Sequence, residues 1–286
     1  MKSRSTRSTQ ESPILWEQHL TLSFGGLRAV NDVTIELFRG ELHGLIGPNG
    51  AGKTTIFNLM TGVYRPDSGH VQLAGRKVDG QKPSAIAKAG MSRTFQNIRL
   101  FSELSVLDNV LVAASLRAST GLFRALLRTP MAVAEERAMR ERAMELLTLV
   151  GIADVADEQA KNLPYGKQRK LEIARALATE PKVLLLDEPV AGMNTQEKRE
   201  MRGMISMLRE QFAVAILLIE HDMGLVMDIC DRITVLDHGE VIASGSPREI
   251  QSNPKVISAY LGTSETEAAA ASSTSLPRVT IPPTTK

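Results

Sequence analysis

The chain has 286 residues, of which 43% are hydrophobic and 23% are charged. These values are ordinary for a globular protein that buries a hydrophobic core, and an aromatic content of only 4% argues against the base-stacking platforms of single-strand-binding proteins. The formal net charge is +2, and Lys2, Arg4 and Arg7 against Glu11 account for all of it. The remaining chain is neutral overall, which argues against nucleic acid as a partner.

Cysteine usage and hydropathy indicate a reducing compartment and no membrane span. Cys230 is the single cysteine, so no internal disulfide can form, and its apolar, helix-like setting predicts a buried structural thiol. The N-terminus lacks the apolar segment of a signal peptide. The longest apolar run, from Phe212 to Ile219, is far shorter than the roughly 20 residues of a transmembrane helix. Any membrane role is therefore expected to come from a partner.

The first half of the chain alternates strand-like segments with turns. Residues 1–12 are polar and rich in Ser and Thr, which predicts a disordered basic N-terminal tail. Three strands are then predicted, and the last is a short apolar run of the kind found in buried strands. They are Leu20 to Phe24, Asn31 to Leu37 and Leu42 to Ile46. A helix follows, with Ile56, Leu59 and Met60 on one side and an end at Gly62.

The second half alternates helices with buried strands, which predicts a mainly parallel sheet covered on both faces. Residues 134–150 form the clearest helix, because Ala143, Leu147 and Val150 share one face. Residues 263–286 predict a disordered C-terminal tail, which leaves one domain over residues 13–262. The predicted strands are Val183 to Leu186, Val214 to Ile219, and a hairpin of Ile233 to Leu236 and Val241 to Ala243 around His238-Gly239.

One motif carries a specific chemical function. Gly47-x4-Gly52-Lys53-Thr54 follows a predicted strand and opens a predicted helix, which is the arrangement that a polyphosphate requires. Glycines let backbone N–H groups close around the β-phosphate, and the helix N-terminus adds partial positive charge. Lys53 can reach the β- and γ-phosphates, and the Thr54 hydroxyl can bind Mg²⁺. A chance match is expected about once in a hundred chains of this length, so nucleotide binding is the stronger interpretation.

A pair of carboxylates follows a second buried strand. Asp187 and Glu188 come directly after the apolar run that begins at Val183, and ligands of open parallel sheets bind at the carboxyl ends of the strands. Asp187 can hold Mg²⁺ through water, and Glu188 can polarise the water that attacks the γ-phosphate. Alone, the pair is as well explained by a solvated strand end. Beside a phosphate loop, the functional interpretation is favoured.

The segment Leu163-Pro164-Tyr165-Gly166-Lys167-Gln168-Arg169 precedes the helix that leads to Asp187. With the motifs above, it makes residues 13 to 262 resemble the ABC transporter ATPase family, in which this signature segment caps the γ-phosphate of nucleotide held by a second subunit. The resemblance implies a P-loop NTPase fold with a mainly parallel RecA-like core sheet. It also implies an N-terminal antiparallel β part and an inserted helical subdomain at about residues 97–175.

The signature segment departs from the family pattern. Pro164 stands where the family has serine, so the hydroxyl contact to the γ-phosphate is absent, and Tyr165 replaces a common glycine. Gly166 keeps its backbone donor, so the resemblance implies weakened rather than abolished capping. From the segment alone, a structural helix begun by proline is the favoured alternative.

The resemblance also assigns the other site residues. Gln96 matches a glutamine that touches Mg²⁺ and links to the membrane partner, His221 matches the histidine near the γ-phosphate, and Asn194 stands where relatives have a dimer-contacting aspartate. The implied catalytic residues are Glu188, His221 and Gln96, and the implied Mg²⁺ ligands are Thr54, Gln96 and Asp187. The implied ATP-binding residues are Phe24, Gly47, Pro48, Asn49, Gly50, Ala51, Gly52, Lys53, Thr54, Thr55, Tyr165, Gly166, Lys167 and Asp187.

Phe24 is the least specific of these assignments. It stands at the position of the adenine-stacking aromatic in the resembled family, but an ordinary phenylalanine in the core of a strand explains it almost equally well. The surroundings of its ring in the folded protein distinguish the two interpretations.

A narrower resemblance concerns the substrate. The stretch from Gln96 to Phe101, the Pro-Tyr-Gly signature and the closing stretch from Val256 to Gly262 look like ATPases of branched-chain amino-acid importers. Such importers imply ATP and Mg²⁺, a second ATPase subunit in a head-to-tail homo- or heterodimer, transmembrane permease subunits and, indirectly, a periplasmic solute-binding protein. The expected location is peripheral, on the cytoplasmic face of the inner membrane.

Three alternative functions stay open. The first is an importer ATPase for another small polar solute. The second is a soluble ABC ATPase acting on DNA or ribosomes, which usually carries long coiled-coil insertions or two cassettes joined by a basic linker; the sequence shows neither feature. The third is a GTPase switch, which would need an Asn-Lys-x-Asp guanine-reading motif that is absent from the sequence. An importer ATPase is favoured over the second and third, and the narrower resemblance favours branched-chain amino acids over another solute.

Overall fold

A computed structural model describes residues 12–117 and 130–260. The two predicted tails, apart from Ser12, lie outside the described residues, as do Leu261 and Gly262. Within the described ranges, no helix is both long enough and apolar enough to cross a membrane.

The described residues form two sheets flanked by helices. The strands are β1 (Leu15–Phe24), β2 (Leu27–Leu37), β3 (Leu42–Ile46), β4 (Ser68–Leu73), β5 (Arg76–Lys77), β6 (Met91–Arg93), β7 (Val183–Asp187), β8 (Ala215–Ile219), β9 (Arg232–Asp237) and β10 (Glu240–Gly245). The helices are α1 (Lys53–Met60), α2 (Pro83–Ala89), α3 (Val106–Ala114), α4 (Pro130–Leu149), α5 (Tyr165–Ala178), α6 (Thr195–Phe212), α7 (Met223–Ile229) and α8 (Pro247–Gln251). Residues 254–260 are also helical.

The first sheet is antiparallel, with the order β2-β1-β4-β5. The second has the order β10-β9-β3-β8-β7-β6, and β9, β3, β8, β7 and β6 run parallel to their neighbours. Only β10, of the strands described in this sheet, pairs antiparallel, through its hairpin with β9. The carboxyl ends of β3, β7 and β8 therefore meet at one edge of the sheet, where the two predicted motifs emerge.

Both faces of the parallel sheet are covered. Strands β3, β7 and β8 have five residues each, and all of these residues are buried. Successive residues along a strand point to opposite faces of the sheet. Leu42 and Ile46 pack in the cluster that contains α3 to α7, while Leu45 packs in the cluster formed with the antiparallel sheet and α1. Near-continuous apolar strands are what a sheet buried on both faces requires.

The predicted fold class and the predicted hairpin are confirmed, with shifts at element ends. The predicted strand over Leu42 to Ile46 matches β3, but β1 and β2 begin earlier than predicted because their polar residues continue the ladder. The strand predicted from Val214 begins at Ala215, since Ala213 ends α6 in a left-handed conformation. The helix predicted over residues 134–150 is α4, which begins at Pro130, a residue suited to a first turn.

Cys230 is buried, as predicted. Its sulfur would lie 3.1 Å from a Cβ on Gly44 of β3, so the side chain packs directly on the backbone of the central strand. Burial raises the pKa of the Cys230 thiol. The thiol therefore serves packing rather than chemistry.

Within residues 12–117 and 130–260, the buried carboxyl of Glu17 lacks a compensating partner. Glu17 of β1 is fully buried, and neither of its oxygens has a hydrogen-bond partner among the described residues. Burial raises the pKa of Glu17 well above its ordinary value of 4.5. The folded protein therefore holds this proton at pH values where the unfolded chain releases it, and its stability falls as the pH rises through that window.

We expect Glu17→Leu to stabilise the protein. The free energy of unfolding should rise by about 1–3 kcal/mol at neutral pH, because an unsatisfied buried polar group is removed. The gain should shrink as the pH falls below the ordinary value of 4.5, because the carboxyl then becomes protonated in the unfolded chain as well. Urea unfolding of both proteins across this pH range measures the difference. Glu41→Leu is the matched control, since Glu41 is buried but accepts hydrogen bonds from Phe38 and Arg232, and it should destabilise. Equal stability of Glu17→Leu and wild type at every pH would contradict the role of Glu17.

Candidate nucleotide site

The phosphate loop occupies the turn between β3 and α1. A Cβ at Gly47 would lie 2.1 Å from the Leu236 carbonyl oxygen, so only glycine fits there. Gly52 precedes α1 with a φ of 101°, and a Cβ there would lie 2.6 Å from the Ala29 carbonyl oxygen. No side chain caps α1, so its first N–H groups lack partners within the helix. Free N–H groups at a helix N-terminus are an anion-binding arrangement.

Lys53 forms hydrogen bonds with two backbone carbonyls of the phosphate loop. Its ammonium donates to the Gly47 carbonyl at 2.7 Å and to the Pro48 carbonyl at 2.9 Å. Burial lowers the pKa of Lys53, and the nearby carboxylates of Glu188 and Asp187 oppose this shift. The charge of Lys53 therefore lies between the loop and the carboxylates at the end of β7.

Asp187 ends β7 in a buried ion pair. Arg93 donates to its Oδ2 at 2.6 Å and to the Asn58 side chain of α1 at 2.7 Å. The backbone N–H of Asp187 also donates to the Thr94 hydroxyl at 3.3 Å. Arg93 thus ties β6, β7 and α1 together beside the loop. Sequence reasoning gave Arg93 no role, although its place three residues before Gln96 was a usable signal.

The three residues predicted as catalytic meet at one carboxylate. Glu188 Oε1 lies 2.9 Å from His221 Nε2, and Gln96 Nε2 donates to Glu188 Oε2 at 3.1 Å. Glu188 has a φ of 48°, a conformation that costs about 1–3 kcal/mol in a residue other than glycine. Its backbone N–H donates to the Ile219 carbonyl at 2.9 Å. Neighbouring structure thus holds the carboxylate in a strained position between two side chains.

Glu220 is a site residue that sequence reasoning missed. It is 3% exposed, and its carboxylate accepts the backbone N–H groups of Val190 at 3.0 Å, His221 at 3.0 Å and Asp222 at 3.3 Å. Burial raises the pKa of Glu220, and these hydrogen bonds oppose the shift. The side chain joins the segment after Glu188 to the segment that carries His221. A glutamate between an apolar strand and a histidine was the available signal.

The phosphate loop and the catalytic residues line one cleft of about 520 Å³. Phe24 lies at its mouth, is 46% exposed, and meets the Tyr64 ring edge-on at 5.2 Å. The alternative interpretation of Phe24 as a strand-core residue is therefore wrong. The lining residues are Phe24, Leu27, Arg28, Ala29, Asn49, Gly50, Ala51, Gly52, Lys53, Thr54, Thr55, Gln96, Glu188, His221 and His238.

Two further elements support the loop. The β9–β10 turn contacts it through Gly239, whose N–H donates to the Ala51 carbonyl at 3.1 Å. Tyr260, in the helical residues 254–260, packs against the core and receives a hydrogen bond from the Gly47 backbone. Burial raises the pKa of the Tyr260 phenol to about 12. Neither contact was foreseen, because both join the loop to segments almost 200 residues or more along the chain.

The signature segment does not line this cleft. Pro164 caps α5, and Tyr165 begins the helix with 43% of its surface exposed. Gly166 is buried, and Lys167 pairs with Asp154 at 3.0 Å. The three predicted nucleotide contacts, Tyr165, Gly166 and Lys167, therefore lie apart from the phosphate loop of their own chain.

Asn194 caps α6. Its side-chain oxygen accepts the N–H groups of Gln196 and Glu197, and the Glu197 carboxylate accepts the backbone N–H of Asn194. This reciprocal capping box satisfies the helix start. A contact of Asn194 across a dimer stays a prediction.

Comparison with known proteins identifies the family. A family model described as "ABC transporter" matches residues 30–191, and one described as "Branched-chain amino acid ATP-binding cassette transporter" matches residues 240–266. The chain is 49% identical over 250 residues to the high-affinity branched-chain amino acid transport ATP-binding protein LivG of Salmonella typhimurium, covering 87% of this chain and 98% of that protein. It is 45% identical, over the same shares of both chains, to the corresponding protein BraF of Pseudomonas aeruginosa.

A solved structure agrees. An ATP-binding cassette of an ABC transporter in its ADP conformation is 29% identical, with a TM-score of 0.76, over 87% of this chain and 99% of that one. Both the glycine loop and the carboxylate pair lie inside the residues matched by the first family model. The chain belongs to the ABC transporter family of ATP-binding cassettes.

Proposed function

We propose that this chain binds and hydrolyses ATP as a subunit of an importer and energises the uptake of branched-chain amino acids. The observation that carries hydrolysis is the convergence of Gln96 and His221 on Glu188, beside a loop with free N–H groups. The observation that supports the substrate class is the identity to LivG and BraF over nearly their whole length. An importer for another small polar solute, or a soluble ABC ATPase outside transport, is the alternative.

The cleft fits a nucleoside triphosphate from end to end. The exposed ring of Phe24 at the mouth offers an aromatic face to adenine. Residues 49–52 offer backbone N–H groups to the β-phosphate, and Lys53 can leave the loop carbonyls to reach the β- and γ-phosphates. Thr55 lies beside Thr54 at the start of α1 and completes the phosphate contacts.

The residues present fit Mg²⁺ as a companion of the triphosphate. Among the described residues, no group of three or more His, Cys, Asp or Glu side chains could hold a metal unaided. Thr54, Gln96 and Asp187 provide one hydroxyl, one amide and one carboxylate, and Mg²⁺ commonly binds through so few protein ligands together with phosphate oxygens and water. The ion would neutralise charge that develops on the phosphates.

Glu188 is the group that acts on the attacking water. Its carboxylate is 17% exposed and opens to the cleft, so it can orient a water and take up its proton. His221 and Gln96 hold the carboxylate at its two oxygens. When the γ-phosphate enters, His221 can donate to it and leave Glu188 with the water.

A second ATPase subunit completes the site. The signature residues lie away from the cleft of their own chain, with Tyr165 exposed at the start of α5. In a head-to-tail homo- or heterodimer, this helix start faces the nucleotide of the partner subunit. Each site then consists of one subunit's loop and the other subunit's signature.

This chain offers the permease subunits an apolar groove in which to bind. A cleft of about 500 Å³ lies beside Gln96 and is lined by Phe95, Arg99, Phe101 and Arg175, among others. Phe101 is 46% exposed, although it is large and hydrophobic. A helix of a permease subunit fits such a groove. Docking there would place the chain peripherally on the cytoplasmic face of the inner membrane, with a periplasmic solute-binding protein delivering the substrate. Residues 97–175, of which 118–129 lie outside the described residues, would form its helical subdomain.

Glu188→Gln should separate binding from hydrolysis. The amide keeps the size of the side chain but cannot take up a proton, so turnover should fall by about 10² or more, while ATP binding and ATP-dependent dimerisation persist. Phosphate release and fluorescent-nucleotide binding measure the two effects. Glu210→Gln, the same chemical change at an exposed position on α6, is the control. Near-normal turnover in Glu188→Gln would refute its role.

Lys53→Ala should weaken nucleotide binding itself. Loss of a charged donor to phosphate corresponds to an affinity loss of about tenfold or more, measurable by calorimetry with ATP. Lys77→Ala, at an exposed position on β5 that does not line the cleft, should bind as wild type does. Unchanged ATP affinity in Lys53→Ala would contradict the assignment of the phosphate loop.

The substrate class is tested by uptake. Cells that lack this chain should lose high-affinity uptake of radiolabelled leucine, and the wild-type chain, but not Glu188→Gln, should restore it. Affinity purification of the chain should also recover membrane subunits. Normal leucine uptake with loss of another solute would favour the first alternative. Recovery of a soluble complex without membrane subunits would favour the second.

A further inference from the structure

We propose that Tyr165, in the signature segment, is a positioning residue that holds the glutamine loop (residues 94–101) of its own subunit through Arg169. This assignment rests on the proposed function, and it gives Tyr165 a task inside the chain in addition to any contact with a partner's nucleotide. It connects the part of one subunit that faces the partner's ATP to the residues around its own Glu188.

Arg169 is the centre of the connection. It is 2% exposed, one turn after Tyr165 on α5, and its guanidinium donates to the Tyr165 hydroxyl from Nε at 3.1 Å and from Nη2 at 2.9 Å. The same guanidinium donates to the Phe95 carbonyl at 2.5 Å and to the Gln96 carbonyl. One side chain therefore binds the signature segment and two successive carbonyls of the glutamine loop. The planar fork of arginine suits such multiple contacts, and lysine could not reproduce them.

Glu172, one turn further along α5, binds both Arg169 and the glutamine loop. It accepts Arg169 Nη1 at 3.0 Å on one oxygen and the Phe95 backbone N–H at 3.0 Å on the other. Burial raises the pKa of Glu172, and its contacts with Phe95 and Arg169 oppose the shift. Further along α5, Arg175 donates to the Arg99 carbonyl. The helix thus holds the backbone of the glutamine loop at Phe95, Gln96 and Arg99.

The held backbone leads directly to the catalytic carboxylate. The carbonyl of Gln96 is bound by Arg169, while its side chain donates to Glu188. The Tyr165 ring also lies against Gly192, four residues after Glu188, where a Cβ would come within 3.5 Å of the ring. Tyr165 therefore binds Arg169, which holds the Gln96 carbonyl, through its hydroxyl. Its ring contacts the segment that follows Glu188.

This arrangement gives a reason for the tyrosine. A glycine at position 165 would provide no acceptor for Arg169, whose two donors toward the hydroxyl would lie buried and unpaired. A partner's nucleotide that binds at the start of α5 would then contact Tyr165, which is connected to the glutamine loop through Arg169. The two ATP sites of a dimer would be linked by packed and hydrogen-bonded groups.

Tyr165→Phe tests the link in the full-length chain, because it removes one hydroxyl at an exposed position and leaves the ring. We expect the Phe95 amide to exchange with deuterium about threefold faster or more, since the buried pair that holds its acceptor loses a partner. Arg169→Lys should accelerate exchange further. Arg209→Lys is the matched control, because Arg209 also donates to a backbone carbonyl, that of Gly40, and pairs with Asp231, at the opposite end of the parallel sheet. It should leave Phe95 exchange unchanged.

The kinetic readout uses the transporter assembled with its membrane subunits. Tyr165→Phe should lower kcat about threefold to tenfold and leave the affinity for ATP in the isolated chain within about twofold, because Gln96 and Glu188 are misplaced while the phosphate loop is intact. If Phe95 exchange in Tyr165→Phe matched wild type, the proposal would be overturned, whatever the effect of Arg169→Lys. Unchanged exchange with lost ATP-dependent dimerisation would show that Tyr165 acts only on the partner's nucleotide. Failure of the proposed function would instead appear in Glu188→Gln and Lys53→Ala.

Discussion

The organisation of the site depends on where β3, β7 and β8 end. Their parallel arrangement brings the phosphate loop, the Asp187-Glu188 pair and His221 to one edge of the sheet, and each strand is buried along its whole length. The backbone therefore leaves the core at fixed points, and the polar residues follow immediately. A shift of one residue in any of these strands would turn its terminal side chains away from the cleft. The hydrophobic core thus sets the positions of the charges.

The charged groups at this edge are paired with partners from the protein itself. Lys53 donates to loop carbonyls, Asp187 is bonded to Arg93, and Glu188 is held between Gln96 and His221. Buried charges are costly unless they are paired and hydrogen-bonded, so these contacts stabilise the site. They are also contacts that a triphosphate can exchange for its own, since phosphate oxygens accept the same donors. The energy of nucleotide binding can therefore be directed into rearranging Glu188 and its neighbours.

The parallel sheet, the phosphate loop and the carboxylate pair could be predicted from the sequence, because each is encoded by a short, continuous stretch of residues. The spacing of Gly47, Gly52 and Lys53, and two carboxylates after an apolar strand, are readable along the chain. What could not be read are contacts between distant segments. Hydrogen bonds join Glu220 to Val190, Tyr260 to Gly47, and the β9–β10 turn to Ala51. The periodicity of a sequence does not indicate such long-range pairs. The interpretation of Phe24 needed the fold as well, since strand alternation alone did not show that the ring lies at the mouth of the cleft.

Pro164 illustrates how a departure from a family pattern can preserve a chemical property. A serine at the cap of α5 could accept the N–H of the second or third helical residue with its own hydroxyl. Proline has no such acceptor, and α5 begins without a side-chain cap; its first backbone bond is from Gln168 to the Pro164 carbonyl. The N–H groups of Gly166 and Lys167 are therefore left without partners within the helix. In the proposed dimer, the segment would lack one side-chain donor to phosphate but would keep its backbone donors and the positive end of the helix. With Tyr165 bonded to Arg169, the helix start is also fixed in place, so the remaining donors need little reordering when an anion arrives.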